Sequence, residues 1–91
     1  MAVLRLARYP VSRDVYETVV AAMRLHTQHP LGLIMHGASE VDGQLQVAQV
    51  WESPEYIEAF EDEILGPAMR ANNVPDTGVV TTIELHDLVT P

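Results

Sequence analysis

Three observations predict an α+β fold of element order β-α-β-β-α-β for this 91-residue chain. Residues 31–60 read as strand, tight turn, strand and an abrupt helix start. A stripe of apolar residues at helical spacing precedes that unit, and a stretch rich in β-branched residues follows it. The length suits one domain, residues 1–91, with a single core.

Residues 2–8 alternate as a strand, with Leu4 and Leu6 on one face and Val3, Arg5 and Ala7 on the other. Pro10 ends it. Ser12 is placed to cap a helix, and Asp14 and Glu17 set negative charge near the positive end of its dipole. That helix is expected over residues 13–26, with Val15, Val19, Ala22 and Met23 as its apolar stripe and Tyr16 and Val20 beside it. His29 precedes Pro30 and is pushed out of helical geometry, so residues 27–30 form a break. Residues 32–40 and 45–51 then pair as a hairpin about Asp42-Gly43, which suits the positive dihedrals of a tight turn.

Ser53-Pro54-Glu55 starts the second helix with a capping hydroxyl, a proline tolerated in the first turn and an early carboxylate. Ile57, Phe60 and Ile64 form its buried side; Gly66 and Pro67 are expected to stop it near Leu65. Residues 67–71 form at most a short further turn of helix, 72–78 a loop and 79–89 the last strand. The rule of right-handed crossovers folds this order into a ferredoxin-like sandwich, with both helices on one sheet face and the other face bare.

Composition bounds the function. With 47% hydrophobic residues the chain holds more apolar surface than so short a domain readily hides, which points to a second copy covering the bare face. A net charge of −8, with only five Lys and Arg, disfavours nucleic acid and anionic membrane surfaces. No cysteine is present, which removes disulfides, thiol nucleophiles and thiolate metal sites and is compatible with a reducing cytoplasm. The N-terminal apolar run is short and interrupted by Arg5 and Arg8, unlike a signal peptide or a spanning helix. The expectation is a soluble cytoplasmic homodimer.

The segment GLIMHGASEVDGQLQVAQVWESPEYIEAFEDEILGPA, residues 32–68, resembles the dimeric α+β barrel superfamily and, within it, proteins similar to antibiotic biosynthesis monooxygenases. The resemblance is carried by Val50-Trp51-Glu52-Ser53, by Phe60, and by Leu65-Gly66-Pro67-Ala68. It implies a homodimer whose sheets join into a barrel, with a pocket between sheet and helices in each protomer. It also implies, for some members, oxidation of aromatic or polyketide-like substrates by molecular oxygen without flavin, metal or haem. The pocket tryptophan of those enzymes matches Trp51, but the asparagine four residues before it is replaced by Val47, so an amide able to polarise a carbonyl or peroxide is missing there.

Read from the residues themselves, four histidines are the natural proton-transfer groups near neutral pH. His36 and His86 fall on expected strands among apolar neighbours, at opposite edges of the sheet; a barrel-forming dimer would bring His36 of one chain toward His86 of the other. Each is the candidate catalytic base, or else an ordinary hydrogen-bonded strand histidine. His26 either complements the dipole at the end of the first helix or lines the pocket mouth. His26 and His29 lack a third partner, so no metal site is expected.

Trp51 is a core residue or a wall that stacks on a planar ligand. Tyr16, with Tyr9 and Tyr56, offers phenol donors, and Phe60 and Met35 complete the expected lining, Met35 as a polarizable filler like Met23 and Met69. No nucleophile elbow, phosphate loop or paired carboxylate supports hydrolysis or nucleotide chemistry. The expected function is a cofactor-independent small-molecule enzyme, monooxygenase-like or a cyclase or isomerase with a histidine base. The alternatives are a non-catalytic dimeric binder or accessory protein and a protein of self-assembly alone.

Overall fold

The computed structural model of the protein describes residues 1–75 and 77–90. Its elements are β1 (Val3–Tyr9), α1 (Arg13–Met23), β2 (Leu33–Val41), β3 (Gln44–Trp51), α2 (Pro54–Phe60), a π-helical segment (Glu61–Leu65), α3 (Gly66–Ala71) and β4 (Val79–Glu84). Among the described residues the strands form one antiparallel sheet of order β2-β3-β1-β4. This is the ferredoxin-like α+β arrangement the sequence predicts, with β2 and β4 at opposite edges.

Local chemistry accounts for most of the boundaries. Ser12 Oγ accepts from the Val15 N–H at 3.3 Å and caps α1. Asp42 and Gly43 both take positive φ, 52° and 76°, the signature of the tight turn whose twist matches a hairpin. α1 ends at Met23, before the expected His26, because Arg24 adopts the left-handed conformation and its N–H returns to the carbonyls of Val20 and Ala21. That turn carries Leu25 back into the core, the apolar contact that commonly seals a helix end.

Three expectations are corrected. Ser53 occupies the cap position of α2, but its hydroxyl makes no bond to the helix amides. The second helical stretch does not stop near Leu65: the backbone widens into a π turn, the Gly66 N–H bonds the Glu61 carbonyl, and α3 continues to Ala71. Pro67 fits because it sits in the first turn of α3, where its missing N–H is no loss. Gly66 is helical, at φ −56°, and its role is steric, since a Cβ there would lie 2.8 Å from the Glu61 carbonyl oxygen. Finally, β4 ends at Glu84 instead of near Val89, because β1 offers no partner beyond the Leu85 N–H bond to Ala2.

The helices lie on one sheet face. The other, among the described residues, carries no helix and exposes Leu6, Met35, Val41, Val79 and Ile83. Among the described residues no helix is long and apolar enough to cross a membrane.

Beneath the helices the core divides in two. One cluster holds Val3, Val20, Leu25, Trp51, Ile57 and Phe60. The other holds Ala7, Tyr9, Val19, Leu45, Val47, Ala68 and Met69. Strand register places a row of polar residues between them: Arg5 pairs with Gln49, and Gln49 with His36.

Candidate active site

Strand alternation turns Arg5, Gln49 and His36 toward the helices, and the helices answer with polar groups of their own. Arg5 is 1% and Gln49 2% exposed, an environment in which an unpartnered polar group would cost about 1–3 kcal/mol. Each is bonded. The Arg5 guanidinium reaches Glu61 Oε2 at 3.0 and 3.3 Å, Tyr9 Oη at 3.2 Å and Gln49 Oε1 at 3.4 Å. Trp51 Nε1 donates to the same Gln49 Oε1 at 3.1 Å. Gln49 Nε2 lies 3.0 Å from His36 Nδ1, and His36 Nε2 lies 2.7 Å from Tyr16 Oη. Among the described residues no buried side-chain polar atom lacks a partner.

On the side of the Leu45 and Val47 cluster, this network borders a cavity of about 50 Å³. Arg5, Gln49, His36 and Tyr16 face it from the polar side; Val15, Val19, Leu65 and Met69 close it from the helices. The volume is well below the several hundred Å³ typical of a drug-sized ligand site. Burial pushes the His36 imidazole below its usual 6.5, with the nearby His26 and then the Arg5 cation adding to the effect. Burial also raises the Tyr16 phenol, with Glu17 contributing, so Tyr16 stays protonated throughout the neutral range.

The structure brings together His36, Tyr16 and Phe60 at this cavity and leaves the other candidates outside it. Trp51 is wholly buried one step along β3, tilted against Phe60 with ring centroids 5.0 Å apart; it is a packed core residue, not a stacking wall. Met35 is next to His36 on β2 and therefore points to the opposite, bare face, where it is 58% exposed. His26 is exposed in the turn after α1 and meets His36 only across shallow outer clefts. His86 lies at an exposed bend past the end of β4, so no strand carries it toward the cavity. Among the described residues no group of three or more His, Cys, Asp or Glu is placed to hold a metal ion.

Arg5, Gln49 and Glu61 are site residues that sequence reasoning missed. The signal was available for two of them: Arg5 alternates with Val3 and Ala7, and Gln49 with Val47 and Trp51, on strand faces that the helices cover. Gln49 also supplies an amide on the same strand face, two residues from Val47. Glu61 reaches the network from the π turn, a feature with no sequence pattern of its own.

No protein-family model and no curated protein sequence matches the chain. Solved structures do. Rv0793 from Mycobacterium tuberculosis superposes with a TM-score of 0.74 at 15% identity, over 99% of this chain and 100% of its own. SnoaB from Streptomyces nogalater, a cofactor-independent oxygenase, gives 0.69 at 14% identity over 99% and 98%. A protein of Deinococcus radiodurans proposed to be an antibiotic biosynthesis monooxygenase gives 0.64 at 14% over 100% and 98%. The chain thus has the fold of the antibiotic biosynthesis monooxygenase-like proteins along its whole length.

Proposed function

We propose that the protein is a cofactor-independent enzyme acting on a compact, largely apolar molecule that carries an enolisable carbonyl or phenolic oxygen. The observation behind this reading is the 2.7 Å contact between Tyr16 Oη and His36 Nε2 at the wall of an otherwise apolar cavity. Substrate oxygen meets the Tyr16–His36 pair while its carbon skeleton lies against Val15, Val19 and Met69. As the neighbouring carbon passes a proton to a base, for which His86 of the second copy is the candidate, charge gathers on that oxygen, and one preorganised donor contributes about 10²–10³-fold in rate. The carbanion then isomerises, cyclises or reacts with molecular oxygen; kinship of fold with SnoaB, a cofactor-independent oxygenase, favours the last. At about 50 Å³ the cavity is a third of the roughly 150 Å³ that holds benzene, so even a single ring enters only as flexible lining side chains such as Met69 and Leu65 give way.

The enzyme acts as a homodimer in the cytoplasm. A second copy covers the bare sheet face, where Leu6, Val79 and Ile83 are exposed, and only that copy brings His86 within reach of the site. A monomer at micromolar concentration in sedimentation experiments would overturn the dimer.

A non-catalytic binder is the second reading, favoured by the small cavity. Solvent-deuterium exchange and oxygen uptake with a panel of monocyclic and polycyclic enolisable ketones separate the two. Turnover is expected, with kcat lowered roughly 10²-fold in Tyr16→Phe. Ligand-induced shifts of the His36 ring resonances without exchange or uptake would establish the binder.

A further inference from the structure

We infer that Gln49 is a positioning residue: its amide, itself oriented by Arg5 and Trp51, holds His36 as the Nε2–H tautomer and so leaves the Tyr16 hydroxyl proton free for a hydrogen-bond acceptor on the bound molecule. This deepens the proposed function and rests on its placing of the ligand beside Tyr16.

Trp51 Nε1 and the Arg5 guanidinium have only protons to give, and both point at one atom of the Gln49 amide, which is therefore its carbonyl oxygen. Turning the amide over would set its N–H2 against two donors. With the oxygen so held, the amide nitrogen faces His36 Nδ1 and donates to it, which requires an unprotonated Nδ1. A neutral imidazole then carries its proton on Nε2, and that proton goes to Tyr16 Oη.

The Tyr16 oxygen is now an acceptor, and its own proton has no taker: among the described residues the hydroxyl makes no other hydrogen bond. A ligand is met by an O–H donor, and one that offers a carbonyl or oxyanion is preferred over one that does not. The Glu61 carboxylate anchors the arrangement from behind by holding Arg5. His36 in this state has no lone pair to spare, since Nδ1 is occupied by Gln49. It supports Tyr16 as a donor and is not itself the base that first meets the substrate.

The test reads the ring without substrate. Long-range 1H–15N NMR of the labelled protein near neutral pH should show His36 with a protonated Nε2 and a bare Nδ1. In Gln49→Glu the new carboxylate accepts from Nδ1 and the ring should switch to the Nδ1–H form; if that variant does not fold, Gln49→Met removes the donor and should give a mixture. An Nδ1–H ring in the wild type, or an unchanged Nε2–H ring in a folded Gln49 variant, would overturn the assignment.

The ligand arm compares cyclopentanone with methylenecyclopentane, which has the same shape and no oxygen. The ketone should bind at least 5-fold more tightly to the wild type and lose that preference in Tyr16→Phe. Equal affinities, or no binding of either, would overturn the donor role. The tautomer is measured in the free protein, so failure to find turnover bears on the proposed activity and not on this lock.

Discussion

The two halves of the helix-side core are built from similar residues and filled differently. Around Trp51 the packing is solid: the indole has no exposed surface, Phe60 lies tilted on it, and Val3 and Val20 close the layer. Around Val47 the same sheet face meets smaller and more flexible side chains, and a cavity of about 50 Å³ is left. The polar row of Arg5, Gln49 and His36 is the border, and its hydrogen bonds are satisfied from both sides. One half is packed solid; the other keeps unfilled space beside the polar row.

Variants at the two halves should differ accordingly. The largest effect is expected from Trp51→Ala, which empties the solid half and withdraws a donor from Gln49; urea denaturation should show a loss of about 3–5 kcal/mol. A loss below 1 kcal/mol would show that the two halves are not differently packed.

The same enlargement made in each half gives the sharper comparison. Val20→Leu overfills the solid half and should cost about 1–3 kcal/mol. Val47→Leu grows into the cavity and should be neutral or stabilising by up to about 1 kcal/mol while weakening any ligand bound there. Equal costs for the two would remove the distinction.

The border itself should respond about as strongly as the overfilled half. The Glu61 side chain is 38% exposed but the Arg5 side chain only 2%, so Glu61→Gln, which keeps an acceptor and removes the negative charge opposite a buried guanidinium, should cost about 1–3 kcal/mol. The smallest effect is a pH slope. The folded protein holds His36 below 6.5, so the unfolded chain binds the proton more readily. Stability is therefore full above pH 6.5 and falls as the pH drops from there toward the folded value. Urea midpoints of the wild type should decline between pH 7.5 and 5.5 more than those of His36→Gln. Parallel declines would show that His36 is not held neutral.

What was legible in the sequence was what neighbours in the chain decide. Asp42-Gly43 turns the hairpin and Ser12 caps α1, both through contacts within three residues. His36 and Tyr16 stood out as a titratable ring on a strand and a phenol beside an apolar stripe. The face of Arg5 was legible from its alternation with Val3 and Ala7, but what lets a charge stay buried there was not, because that depends on Glu61, 56 residues away, and on Gln49, 44 away. An Arg near a chain start ordinarily reads as a solvated charge, and only tertiary partners make it a core residue. Met35 and His86 failed for different reasons. Strand alternation alone sends Met35 away from His36, whereas the position of His86 depended on where β1 runs out of partners for β4.

The π turn at Glu61–Leu65 acts as a phase shifter. Each residue of an α-helix advances the side chains by about 100°, so a stretch wound one residue wider re-aims everything that follows. It is this angular offset that lets Glu61 reach Arg5 at one end while Ala68 and Met69 face the sheet at the other, with Pro67 and Arg70 turned to water. Substitution within 62–63 leaves that timing intact. A π turn holds one residue more than an α turn, so deleting one of 62–63 would let the stretch close as plain α-helix with Ala68 and Met69 still facing the sheet. An inserted residue would instead turn Met69 away by about 100° and open that half of the core without any change to the residues that form it.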